Sequence, residues 1–139
     1  MVVVAAVDRS NGASDVVSEA ERLATEFDES IHVVHALTRS EFVTLGTANA
    51  QADQPLNLDQ IREEAAKMAA EAVLEIDERH ETVGLVGDPA DEIIDYANEV
   101  TARYVVVRPR RKSPAGKALF GSVAQSILLD ANCPVVTVS

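Results

Sequence analysis

Short continuous apolar runs alternate along this chain with longer stretches in which apolar residues recur every three or four positions. Residues 2–7 (Val-Val-Val-Ala-Ala-Val) form an unbroken apolar run, the pattern of a strand buried on both faces of a parallel sheet. Asp8-Arg9-Ser10-Asn11-Gly12 interrupts it as a polar turn. Over residues 14–27, Val16, Ala20, Leu23 and Phe27 fall on one helical face, widened by Val17 and Ala24. Asp28-Glu29-Ser30 stops that helix, and residues 31–37 are the second strand. Further on, Leu58, Ile61, Ala65, Met68, Ala72 and Ile76 share one face behind Asn57 as cap, while Glu63, Glu64, Lys67, Glu71 and Glu75 make the opposite face a solvated one. Residues 82–86 are the third strand. Gly87-Asp88-Pro89 then sets Asp at the N-cap and Pro at the first helical position, opening a short helix with Ile93, Ile94, Ala97 and Val100 inward. Residues 103–107 are the fourth strand, 121–130 the last helix with Val123, Ile127 and Leu128 inward, and 133–138 the fifth strand.

Residues 38–57 keep no sustained period and contain Gly46 and Pro55, so they read as a long loop in which 41–45 alone has helix character. Loops of this length are uncommon. A flap over a site and a plain connector are both open readings. The order β-α-β-loop-α-β-α-β-α-β predicts a single α/β domain over residues 1–139: a doubly wound, five-stranded parallel sheet with four helices. In such sheets ligands gather outside the carboxyl ends of the strands, where the strand order reverses. Three segments should meet there: the turn at residues 8–10, the end of strand 2 at His35 and Ala36, and the loop after strand 4.

That last loop changes the picture of a plain acidic domain. The whole chain carries −11, yet residues 100–129 contain six Lys or Arg and no Asp or Glu. The basic residues cluster at Arg108, Arg110, Arg111, Lys112 and Lys117, just before Gly121-Ser122 open the last helix. A helix N-terminus presents unpaired N–H groups and partial positive charge, so a cationic loop running into one suits an anion. An exposed, solubilising loop is the plainer alternative. Net acidity argues against general binding to nucleic acid. Scarce lysine amid abundant Asp, Glu, Ala and Val also fits a salt-in halophile's cytoplasm. The start of the chain lacks the basic flank and length of a signal peptide, and no apolar run approaches the ~20 residues that span a bilayer. The expected location is cytoplasmic.

Cys133 is the only cysteine, which excludes an internal disulfide and disfavours a zinc site; it reads as a small buried apolar residue. His32 and His35 are three apart, so on a strand they face opposite ways and cannot chelate one metal in the usual manner. Packing or a hydrogen bond is the expected role of each. No Ser-His-Asp or Cys-His arrangement and no acid/base pair stands out.

Five short motifs in this order resemble the universal stress protein family: Val7-Asp8-Arg9-Ser10, His35-Ala36, Val86-Gly87-Asp88-Pro89-Ala90, Gly121-Ser122-Val123-Ala124 and Cys133-Pro134-Val135-Val136. The similarity covers nearly the whole chain, is strongest over 84–139 and is weakest over 38–57. The resemblance implies a Rossmann-like sheet of order 3-2-1-4-5 and a homodimer formed through the last strand, residues 135–138. One branch of that family binds ATP, with Mg²⁺ as its companion, through glycines spaced Gly, two residues, Gly, nine residues, Gly-Ser/Thr. Set on Gly121-Ser122, that spacing puts the first two glycines at Arg108 and Arg111. By the same resemblance Asp8 and Ala36 would meet the nucleoside, and Gly121, Ser122 and Val123 the phosphates.

Arginine at a glycine position resists positive φ and fills room a phosphate would use. Arg108, Arg111 and their basic neighbours could instead replace backbone cradling with charge-assisted bonds. Three readings follow. The leading one is a regulatory nucleotide-binding stress protein that is not a dedicated enzyme. The second is a dimeric module that binds no nucleotide and docks an acidic protein partner, which loss of the glycines favours. The third, a slow ATPase, lacks the strand-1 phosphate loop such enzymes need.

Overall fold

The computed structural model describes residues 1–8, 12–46, 58–73, 79–109, 111–112, 118–119 and 121–138, with backbone alone at 45, 46, 111, 112, 118 and 119. In chain order the elements are β1 (Val2–Ala6), α1 (Ala13–Phe27), β2 (Ser30–Leu37), α2 (Arg39–Gly46), α3 (Leu58–Glu71) and β3 (His80–Val86). There follow α4 (Pro89–Glu99), β4 (Ala102–Val107), β5 (Arg111–Lys112), β6 (Ala118–Leu119), α5 (Ser122–Asp130) and β7 (Val135–Thr137). The main sheet has the order β3-β2-β1-β4-β7 with all neighbours parallel, as expected. The sheet grows from β1 first to one side and then to the other, so its switch point lies between β1 and β4.

Continuous apolar runs form the central strands because both faces are covered. Val3, Ala5, Ile31, Val33 and Val106 pack on one face against α1 residues Val16, Val17, Ala20 and Ala24. Val4, Val34, Val105 and Val107 pack on the other against Ala90, Ile93 and Ala97 of α4 and Ile127 of α5. Each fully buried Val or Ile contributes about 1.5–3 kcal/mol relative to exposure. Ala65, Ile61 and Met68 of α3 cover Leu37 at the outer end of β2.

Two features depart from the sequence expectation. There are five helices among the described residues, because the helix character expected at 41–45 extends to a full helix, α2, over residues 39–46. Its start is a capping box: the Glu41 amide donates to Thr38 Oγ1 at 3.1 Å, and the Thr38 amide donates to Glu41 Oε1 at 3.2 Å. α2 has little apolar periodicity because, of residues 39–44, only Phe42 is partly buried, against the Leu37 cluster, so period alone marks it weakly. Residues 47–57, on which the flap and connector readings rest, lie outside the described residues, as do Asn57, Glu75 and Ile76. The second departure is in the basic loop, where β5 and β6 pair antiparallel, Arg111 opposite Leu119 and Lys112 opposite Ala118.

The α4 start follows its sequence signal: Asp88 is the N-cap, its carboxylate accepts from the Asp91 amide at 3.2 Å, and Pro89 is the first helical residue. Gly87 before it adopts φ +137°, a conformation that side chains rarely reach. At the amino ends of the strands Arg103 meets the buried Glu29 carboxylate at 2.9 Å and lies over the Phe27 ring at 4.6 Å. His32 Nδ1 lies within hydrogen-bonding distance of Tyr96 Oη, at 2.6 Å, and its Nε2 lies 3.4 Å from Glu81 Oε2. Burial, then the charges of Glu81 and Glu99, hold the Tyr96 phenol above its usual pKa. Cys133 is half-buried, less enclosed than expected, and burial pushes its thiol pKa up. Among the described residues no helix is long and apolar enough to cross a membrane.

Candidate functional site

A cavity of about 300 Å³ opens at the carboxyl ends of β1, β2 and β4, beside the switch point. That volume is at the lower end of small-molecule sites. Its walls bring together Asp8, Ala36, Arg108, Gly121, Ser122 and Val123, six residues separated by up to 115 positions in sequence. These are six of the seven site residues expected from sequence. For the seventh, Arg111, the structure describes only a backbone place in β5, while Arg110 and Lys117 lie outside the described residues.

One end of the cavity is built by the last helix. Gly121 is the N-cap of α5 with extended backbone, φ −71° and ψ 169°, and no side chain caps that end. Ser122 is the first helical residue, and its side chain does not cap the helix. The α5 N-terminus therefore turns its first-turn residues Gly121, Ser122 and Val123 to the cavity with no side-chain cap on its N–H groups. With nine residues of aligned dipoles behind it, this end suits a negative group.

The other end is built by β1 and β2. Ala6, Val7 and Ala36 supply apolar wall, joined by Val16 of α1 and Ile93 of α4. Asp8 stands exposed at the rim, and Glu41 reaches the cavity from the capping box of α2. His35 is nine-tenths buried; its Nδ1 lies 2.7 Å from the Val7 carbonyl oxygen. A carbonyl oxygen only accepts, so Nδ1 carries the proton. The cavity thus ends on a helix N-terminus at α5, and its β1 and β2 wall is apolar with Asp8, His35 and Glu41 set into it.

Arg108 does something the sequence did not reveal. It does not fill the phosphate end of the cavity. Its Nη1 donates to Asp15 Oδ2 at 2.9 Å, across the mouth to the first turn of α1. The guanidinium lies directly on Gly12, where an added Cβ would fall 1.9 Å from Nη1. Gly12 therefore leaves the space into which Arg108 is turned. Asp15 is 61% exposed, so this pair contributes little stability and can exchange partners at small cost. Sequence reasoning missed Gly12, Asp15 and Glu41. The Thr38-Arg39-Ser40-Glu41 capping pattern was a usable signal for the last of these, whereas nothing local links Asp15 to Arg108.

Comparison with known proteins agrees with this architecture. The universal stress protein family matches residues 1–139. A universal stress protein of Methanocaldococcus jannaschii is 28% identical over 136 residues, covering 98% of this chain and 80% of the relative. The solved universal stress protein of Archaeoglobus fulgidus is 30% identical with a TM-score of 0.69, covering 99% of this chain and 97% of that one. A structure of the Archaeoglobus fulgidus universal stress protein in complex with dAMP is 25% identical, TM-score 0.60, with 99% and 96% covered.

Proposed function

This chain belongs to the universal stress protein family, and we propose that it is a regulatory module that binds an adenine nucleotide in the cavity between β1, β2 and α5. The observation that carries this reading is the pairing, in one cleft of about 300 Å³, of the apolar wall of Ala6, Val7 and Ala36 with an uncapped helix N-terminus. The dAMP complex of a relative supports it. Asp8 and the Ala36 backbone would hold the nucleoside, and Gly121, Ser122 and Val123 the phosphates. Arg108, parked on Asp15, would turn to the phosphates when they arrive, with Arg111 as its neighbour. ATP is the ligand implied by the family's signature. Mg²⁺ would arrive on its phosphates, since among the described residues no cluster of His, Cys, Asp and Glu is grouped to hold a metal.

We place the module in the cytoplasm, as a homodimer that covers the open edge of β7 with a second copy. A bare apolar strand edge invites pairing. Light scattering should give twice the 14.9 kDa chain mass, and a monomer at all concentrations would remove this part. A halophilic setting would make the fold more stable in molar KCl than in dilute buffer.

One observation favours the second reading, an interaction module without nucleotide: arginine stands at both usual glycine positions. Differential scanning fluorimetry separates the two. A ligand at about 100 times its Kd stabilises by ~2.7 kcal/mol, a shift of several degrees for a chain of this size. We expect AMP or Mg-ATP to raise Tm in this way and adenosine to do so more weakly. No shift with any of the three, in a cooperative two-state unfolding, would favour docking of an acidic protein.

A further inference from the structure

We propose that Asp15 restrains the affinity of the cleft for phosphate-bearing ligands by holding Arg108 on α1, so that a bound phosphate must take the guanidinium from it. This role rests on the nucleotide reading above and adds a regulator to the same site.

Arg108 belongs to two neighbourhoods. It follows β4 directly and lines the cavity together with Gly121 and Ser122 at the α5 N-terminus. Its Nη1 donates instead to Asp15 Oδ2 at 2.9 Å, in the first turn of α1. Asp15 stands outside the cavity lining, so its hold on a ligand runs through Arg108 and makes it a positioning residue.

The seat of the guanidinium is a poor one for a cation without that carboxylate. It lies on Gly12, the N-cap of α1, whose missing side chain leaves the room. A helix N-terminus carries partial positive charge, so a cation held there needs an anion beside it, and Asp15 supplies one. The α5 N-terminus across the cleft is positive as well, while the carboxylates of Asp8 and Glu41 belong to the β1 and β2 wall. On the α5 side Arg108 therefore gains an anionic partner when a phosphate is bound. A phosphate offers more charge and more acceptor oxygens than one carboxylate, which lets it compete. The pair it must break is weak, with side chains 32% and 61% exposed. Releasing Arg108 from such a pair in advance corresponds to about threefold in Kd.

The test is calorimetric titration of the full chain with AMP and with adenosine, in 0.2 M and 2 M KCl. Asp15→Asn keeps the size of the side chain and removes its charge at an exposed position, so Tm should stay within a few degrees of wild type. In 0.2 M KCl the variant should bind AMP about threefold more tightly than wild type and adenosine no more tightly. The gap for AMP should close in 2 M KCl, where the wild-type pair is screened. In an Arg108→Gln background, Asp15→Asn should leave the Kd for AMP unchanged. Direct repulsion between Asp15 and phosphate would persist in that background, and its persistence overturns a role through Arg108. Equal Kd for AMP in wild type and Asp15→Asn at 0.2 M KCl overturns the restraint while leaving nucleotide binding intact. An equal gain for adenosine overturns the link to phosphate. No binding of AMP to either folded protein overturns both this role and the nucleotide reading.

Discussion

Replacing Gly84 by valine lowers the thermal midpoint by about 10 °C. Gly84 lies in β3 opposite His35 of β2, under α3. A Cβ there would sit 1.9 Å from the Arg62 carbonyl oxygen, 2.6 Å from the Ala66 amide nitrogen and 2.9 Å from the Ala65 Cβ. Two of these are backbone atoms of the α3 interior and cannot rotate aside. The helix must lift from the sheet, which separates Ile61, Ala65 and Met68 from Leu37. Overpacking of this kind costs about 3 kcal/mol, and for a chain of this size ~3 °C of Tm accompanies each kcal/mol. Gly84→Ala should already show a good part of the effect. Gly12→Ala is the contrasting case, since the atoms it meets are the end of the flexible Arg108 side chain. It should leave Tm within about 2 °C, because loss of an exposed ion pair is worth under ~1 kcal/mol. Thermal unfolding followed by circular dichroism reads both. A Gly84→Val midpoint within 3 °C of wild type would mean that α3 does not pack on β3 as described.

Ser122→Asp weakens AMP binding about 30-fold without harming the fold. Position 122 is the first residue of α5, where a carboxylate meets the positive end of the helix dipole and stabilises it by a few tenths of a kcal/mol. The same carboxylate faces the place proposed for phosphate. Two unit charges ~4 Å apart repel by ~1 kcal/mol in water and ~4 kcal/mol at an effective dielectric of 20. Ser122 is exposed at the cavity edge, so about 2 kcal/mol is the intermediate value, equivalent to ~30-fold in Kd. Stability and affinity thus move in opposite directions, which general damage would not produce. An unchanged Kd for AMP in a stable Ser122→Asp protein would place the phosphate away from α5.

How far the sequence could carry this account differs by element. β1 is an unbroken apolar run, and β2 and β4 are largely apolar around His32, His35 and Arg103; burial on two faces is the reason, so the strands and their parallel arrangement were readable, while the order 3-2-1-4-5 was implied by the family resemblance. The α4 start was readable because Asp88 and Pro89 act on backbone within one turn. α2 was read only in part, as helix character at 41–45, because a helix that buries no broad face leaves no period to mark its full extent, even with its capping box in plain view. Within the site, Asp8, Ala36, Gly121, Ser122 and Val123 were reached through motifs at strand and helix ends. The posture of Arg108 was not. It depends on Asp15, 93 residues away, and on the missing side chain of Gly12, and no local pattern links the three. His35 was assigned a packing or hydrogen-bonding role from its strand position; its unpartnered Nε2 appears only once Val7 is placed beside it.

The arginine substitutions also gain a physical reading. A glycine loop cradles phosphate with backbone N–H groups, which needs small residues and unusual φ. Here the first such position instead carries a side chain turned onto a neighbouring helix and held there by an exposed pair with Asp15, which under the proposed function gives way to phosphate. Two charge-assisted bonds from one guanidinium can stand in for backbone donors. Such contacts are screened by salt, so affinity should fall as ionic strength rises.

Isothermal titration of the wild-type chain with AMP and with Mg-ATP, each in 0.2 M and 2 M KCl, tests the central claim most directly. Saturable binding at one site per chain, in the micromolar range and weaker in the higher salt, is the result this account predicts. No heat with either nucleotide at either salt, from protein that is folded and cooperative in its unfolding, would contradict it and leave the cleft without a nucleotide to hold.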